Sequence, residues 1–388
     1  MGMTRVPVKT AVLQWARERS GLSLAKLSSK FPKMPEWESG KASPTLKQVE
    51  GLAKVTLTPL GYFFLPEPPE ERLPIPLYRS AGGSTAIRPS PNLLEIVQTL
   101  QRRQAWMREY LIDQGQERLP FVARLQRGPD HVRLAASIRG ALGLDVGWAK
   151  RELTWTDALG ALRGAAEKAG ILVSISGIVG NNTSRKLDPS EFRGFVLIDE
   201  YAPMVFVNGA DWKSAQMFTL AHELAHVWLG ESAAFDLRDF QSSSEGVEKA
   251  CNRVAAEFLV PEHELREHWP VLRRAGEPFQ EAARHFKVSA IVVARRALDC
   301  ELISRDAFFA FLRAYEDDER RKASKKSSGG DFYATLTVHL GRRFAEAVVR
   351  AAQEGKLQYR NAYELTDTYG ATFDRYAKEL GIGLGIRM

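Results

Sequence analysis

Phe218-Thr219-Leu220-Ala221-His222-Glu223-Leu224-Ala225-His226-Val227-Trp228-Leu229-Gly230 is the stretch on which the reading of this chain turns. It contains His-Glu-x-x-His. Residues four apart share one face of a helix, so His222 and His226 can offer two imidazole nitrogens to one metal ion. Glu223 is placed to act on a water as general base, not as a ligand. The segment is apolar nearly all round, as a buried helix is, and Gly230 supplies its stop. Two His and a Glu are costly there unless something compensates them. Two satisfied core histidines beside a salt-bridged Glu would be the plainer reading, but a metal compensates all three groups at once.

Outward from this helix, the upstream segment changes period. Ile171 to Val179, Phe195 to Ile198 and Met204 to Val207 run apolar or alternate between turn residues, which predicts three short strands of one sheet. A loop, Gly180 to Asp188, separates the first two, and Asn208-Gly209-Ala210-Asp211 turns into the motif helix. An edge strand of such a sheet can pair with an extended peptide. Downstream, a polar loop (Gln241 to Glu245) precedes a helix from Val247 to Val260. A catalytic zinc keeps three protein ligands. The candidate third ligand is Glu248, with Asn252 on its face to hydrogen-bond a ligand His from behind. Glu257, nine residues on and expected on nearly the same face, is the runner-up. Cys251 is a soft ligand, a redox modulator or a buried inert thiol. The oxyanion could be met by His263, His268, Tyr201 or Arg193, and the sequence does not choose.

The bounds agree with a soluble, multidomain protein. The chain has 388 residues, 44% hydrophobic, with no apolar run long enough to span a bilayer. Two cysteines and no signal-like N-terminus make the cytoplasm the expected compartment. The net charge of +7, from 54 basic and 47 acidic residues, permits nucleic-acid contact without demanding it.

The N-terminal 66 residues predict helices at 9–20, Leu24 to Ser29 and Leu46 to Val55. Trp37-Glu38, Gly40, Pro44 and Thr45 resemble the late signature of the Xre/Cro-like helix-turn-helix module. Only thirteen residues separate Ser23 from Trp37, and Pro32 and Pro35 are among them. Any recognition helix is therefore stunted, and the segment either reads DNA or keeps the scaffold as an interaction module. Residues 67–91 read as a Pro/Gly-rich linker and 92–169 as a helical region. Residues 170–262 are the expected metallopeptidase core. In 263–314, Phe279 to His285 and Ala290 to Leu298 form a second helix-turn-helix pattern bearing Arg295 and Arg296. It is either a DNA reader, a buttress of the catalytic helices or a substrate-docking surface. Residues 315–330 read as a charged linker, and 331–388 as a C-terminal helical accessory domain.

Ala221-His222-Glu223-Leu224-Ala225-His226 with Glu248, Asn252 and Ala255-Ala256-Glu257-Phe258-Leu259-Val260-Pro261 resembles the ImmA/IrrE family of metallo-endopeptidases. Ser176 to Thr183, Asn208 to Asp211 and Phe63 to Pro69 resemble its branch with an N-terminal Xre-like module. The resemblance implies Zn2+, an α+β, mostly helical fold with a zincin-like (gluzincin-like) core, and Glu248 as the third ligand. It also implies limited proteolysis of a regulatory protein, a DNA-binding repressor or an antitoxin, in stress response or mobile-element control. The other class kept open is a helix-turn-helix transcriptional regulator, or an antitoxin-like binding protein, whose zincin domain does not cut.

Overall fold

The structure is a computed structural model that describes residues 5–71, 73, 89–123, 130–230, 234–235, 246–322 and 330–382. It is α+β and mostly helical, with a small mixed sheet. Two compact units divide the chain: Met1–Pro74 with Ser84–Thr99, and Ile75–Gly83 with Leu100–Met388. No helix among the described residues is long and apolar enough to cross a membrane.

The first unit holds α1 (Thr10–Arg19), α2 (Leu24–Lys30), α3 (Met34–Glu38), α4 (Leu46–Thr56) and the start of α5 (Pro91–Asp113). Ser23 accepts from Lys26 N to cap α2, and Thr45 and Gln48 form a reciprocal capping box on α4. Helix α3 has five residues, starts beside Pro35, and spends Met34 and Trp37 on the core. They pack there with Val12, Leu27, Val49 and Phe63. The expected linker falls mostly outside the described residues (72 and 74–88).

The second unit continues with α6 (His131–Leu142), α7 (Trp155–Lys168), β1 (Leu172–Ser176), β2 (Ile178–Val179), β3 (Asn182–Lys186), β4 (Gly194–Leu197), β5 (Met204–Asn208), α8 (Lys213–Leu229) and β6 (Ala234–Phe235). Then come α9 (Gly246–Leu259), α10 (Glu262–Leu272), α11 (Pro278–Phe286), α12 (Ala290–Asp299), α13 (Arg305–Lys322), α14 (Phe332–Leu340), α15 (Arg342–Gln353), α16 (Tyr359–Thr366) and α17 (Ala371–Glu379). The main sheet has the order β1-β5-β4-β6, with β1 parallel to β5 and the other pairs antiparallel.

The strand prediction needs correction. The run from Ile171 to Val179 is not one strand, because Gly177 ends β1. A Cβ on Gly177 would lie 2.8 Å from Ala210 N, so only glycine lets the two backbones approach. Val179 then pairs with Asn182 in a separate hairpin, β2–β3, that occupies the expected loop. Strand β4 carries β6 opposite Gly194 and Phe195, so β4 is not an edge of the sheet.

Two C-terminal expectations also change. The charged segment from 315 continues α13 to Lys322, and residues 323–329 lie outside the described ones. Helix α14 packs along β1, where Ser174 Oγ donates to His339 O at 2.5 Å. Arg103 on α5 donates to Leu365 O and pairs with Asp367 at 2.9 Å, joining the C-terminal helices to the rest of this unit.

Helix α12 settles into the core. Val292, Val293, Ala294, Arg296 and Ala297 are all buried. Arg296 donates to Val260 O and forms an ion pair with Glu257, both partners nearly sealed from solvent. Arg295 pairs with Asp299 on its own helix. A helix committed in this way cannot lay Arg296 on a base edge; that residue ties α12 to α9 instead.

Candidate metal centre

The turn into α8 is fixed by side chains. Asn208 donates to Phe192 O and accepts from Ala210 N, while Gln216 donates to Gly209 O and Asp211 O. From Gln216 to Trp228 every residue of α8 is buried. Trp228 stacks on Phe121 with centroids 4.4 Å apart and donates to Ser137 Oγ, which anchors the end of the helix. Helix α9 packs beside it, with Cys251, Ala255 and Ala256 buried. Gly194 on β4 lies under α8: its Cα approaches so closely that a Cβ would fall 2.5 Å from Thr219 Cγ2 and 3.0 Å from Glu223 Oε1.

His222, His226 and Glu248 converge. His222 Nε2 and His226 Nε2 are 3.1 Å apart, and each is 3.1 Å from a different oxygen of Glu248. His222 Nδ1 lies 3.1 Å from Asn252 Oδ1. An amide oxygen only accepts, so Nδ1 carries the proton and Nε2 presents its lone pair to the centre. With Nδ1 protonated, the Nε2 lone pair of His222 faces a carboxylate oxygen at 3.1 Å, a repulsion that a cation bound between them would relieve. Tetrahedral zinc with bonds of about 2.0 Å separates neighbouring ligand atoms by roughly 3.3 Å, so the set of two nitrogens and a carboxylate fits that ion. The Sγ of Cys251 also lies within 4.8 Å of one ring nitrogen of each imidazole.

Charge is organised around this centre. Burial would raise the Glu248 carboxyl, but the two imidazoles outweigh it and hold the group below the usual carboxylate range. Burial lowers His222 below an ordinary imidazole despite the neighbouring Glu248. Glu223 is fully buried, and neither of its oxygens has a hydrogen-bond partner among the described residues. Burial, then the charge of Glu248, pushes it well above the usual carboxylate range.

The runner-up ligand does not reach the centre. At 100° per residue, nine residues turn a helix two and a half revolutions, so Glu257 faces away from Glu248. It meets Arg296 instead, and accepts from Glu262 N. Of the residues considered for the oxyanion, Arg193 pairs with Asp211 at 2.6 Å, Tyr201 lies between Arg108 and Arg118, and His268 packs on His285. His263 is exposed on the first turn of α10. Sequence reasoning missed Gly194 and Thr219; a glycine opening an apolar strand run was the available signal for a close approach.

No curated protein matched this chain in a sequence comparison. Residues 340–379, covering α15 to α17, match a domain of unknown function, DUF8813. Residues 166–298 match the family model described as the IrrE N-terminal-like domain, Peptidase_M78, and so the stretch that builds the sheet, α8, α9 and the buttress behind them is similar to a metallopeptidase-family domain.

Proposed function

We propose that the protein is a zinc-dependent endopeptidase. The observation that carries this reading is the convergence of His222, His226 and Glu248 at 3.1 Å beside Glu223, a buried carboxyl with no hydrogen-bond partner among the described residues. His222, His226 and Glu248 would hold the ion, and Asn252 fixes the tautomer of His222. Bound zinc supplies Lewis acidity, which makes water nucleophilic at neutral pH and polarises the scissile carbonyl. Glu223 takes the proton from the attacking water and returns it to the leaving amine. The apolar walls of α8 keep bulk water from Glu223, which preserves its proton affinity.

The substrate class follows from the family resemblance: a regulatory protein, either a DNA-binding repressor or an antitoxin, cut in stress response or mobile-element control. Metal analysis tests the reading. His222→Asn/His226→Asn should lose one zinc per chain relative to wild type, while Glu223→Gln keeps it and loses cleavage. A double variant that retains the full zinc content would overturn the ligand assignment.

A further inference from the structure

A second group of metal-capable side chains lies on α10 and α11. Glu264 and His268 stand four residues apart on α10, which stacks them on one face. His285, in the last turn of α11, meets both. Its Nε2 is 3.0 Å from Glu264 Oε1, and its ring packs edge-on against that of His268 with centroids 4.7 Å apart. One ligating atom from each of the three lies within 4.8 Å of the other two.

Glu264 itself points to a missing partner. It is 5% exposed, and its Oε2 is buried with no hydrogen bond among the described residues. Its other oxygen has His285 and, at 3.9 Å, the half-exposed ammonium of Lys150. Leaving a buried carboxylate oxygen unsatisfied is unfavourable. Beside Glu264 and His285 a cavity of about 10 Å³, walled also by Gly147, Lys150 and the apolar Phe258 and Leu259 but not by His268, has room for one small ion or one water. Gly147 holds a left-handed φ of +70°, and a Cβ there would come within 3.1 Å of Glu264 Oε1. His268 and His285 are partly exposed, which gives an ion a path in.

We infer that Glu264, His268 and His285 form a second divalent transition-metal site. Two imidazoles and one carboxylate select zinc, cobalt or nickel over magnesium or calcium, which favour oxygen ligands. The ion would clasp α10 to α11. Helix α11 leads directly into α12, whose Arg296 holds Glu257 on α9, the helix that carries Glu248. The clasp therefore braces the back of the catalytic helices without touching substrate. Lys150 is the competing cation, and metal entry requires only that its exposed side chain swing away.

The test is metal binding by the full-length chain, with zinc content by elemental analysis and cobalt(II) titration by absorbance. Wild type should hold two equivalents. His222→Asn/His226→Asn should keep one, and His268→Gln/His285→Gln should keep the other. Combining all four substitutions should abolish binding. Lys150→Met should tighten the second equivalent by roughly two- to tenfold, because it removes one exposed like charge. If His268→Gln/His285→Gln does not fold, the cobalt spectrum of His222→Asn/His226→Asn decides. A d–d band that a chelator removes, and that Glu264→Gln weakens, supports the site. A flat titration overturns it and leaves a Glu–His ion pair with Lys150. Each site is scored on a variant lacking the other, so failure of one is distinguishable from failure of the other.

Discussion

Gly194→Ala probes the packing that seats the proposed general base. The new Cβ would stand 2.5 Å from Thr219 Cγ2, 2.9 Å from Phe206 O and 3.0 Å from Glu223 Oε1. Carbon atoms prefer about 3.5–4.0 Å, so β4 or α8 must yield by about 1 Å, and the Phe206 carbonyl belongs to the neighbouring strand and cannot swing aside. Overpacking of this kind costs about 1–3 kcal/mol, against a gain of about 0.5–1 kcal/mol from replacing a strand glycine. A net loss of roughly 1–2 kcal/mol in urea denaturation is expected. Displacing Glu223 by about 1 Å should cost cleavage about 10²-fold, more than the stability loss explains, with zinc content unchanged. Thr219→Ser removes Cγ2 but keeps the hydroxyl that bonds Ala215 O at 3.1 Å. Gly194→Ala/Thr219→Ser should therefore regain about 0.5–2 kcal/mol of coupling energy and still cut slowly, because the Glu223 contact persists. Wild-type stability and rate in Gly194→Ala, or a cycle with no coupling, would refute this packing argument.

Three further outcomes are expected. Asn252→Ala frees the far nitrogen of His222 and should weaken zinc affinity about 10- to 100-fold, measured by competition with a chelator; unchanged affinity would remove its orienting role. Glu257→Gln or Arg296→Met alone leaves a buried charge unpaired and should cost about 3–5 kcal/mol, whereas the double substitution should cost less than either; additive losses in denaturation would contradict this. Burial, then the charges of Arg103 and Lys213, lowers the His339 imidazole to about 4. The unfolded chain therefore binds that proton first, so stability is intact above about pH 6.5 and declines as pH falls towards 4, by roughly 3 kcal/mol. His339→Asn should lose that part of the slope, and an unchanged pH profile would show that His339 does not set it.

The site was legible because its residues are local in sequence. His222, Glu223 and His226 lie within one helical turn, and Glu248 and Asn252 lie on one face of the next long helix. What was not legible depends on which element covers which. The polar strand Asn182–Lys186 has no hydrophobic alternation, so it read as a loop although it pairs with β2. Arg296 read as part of a helix-turn-helix pattern, but it lies in the core, where Glu257 compensates its charge across 39 residues of sequence. The second helix-turn-helix pattern has the right spacing, yet spacing does not say that α12 is already covered. Glu264, His268 and His285 belong to two helices joined by a turn, and no short motif unites them. The break at Gly177 was visible as a glycine, but its reason, the approach of the Ala210 backbone, is tertiary.

The most direct measurement compares the newly formed protein N-termini in cells expressing wild type with those in cells expressing Glu223→Gln, after both purified proteins are shown to hold equal zinc. Zinc-dependent peptide hydrolysis with Glu223 as base predicts a small set of new N-termini, concentrated in DNA-binding repressors or antitoxins, with wild type only. The same set from both proteins, or none from either when both are fully zinc-loaded, would contradict it.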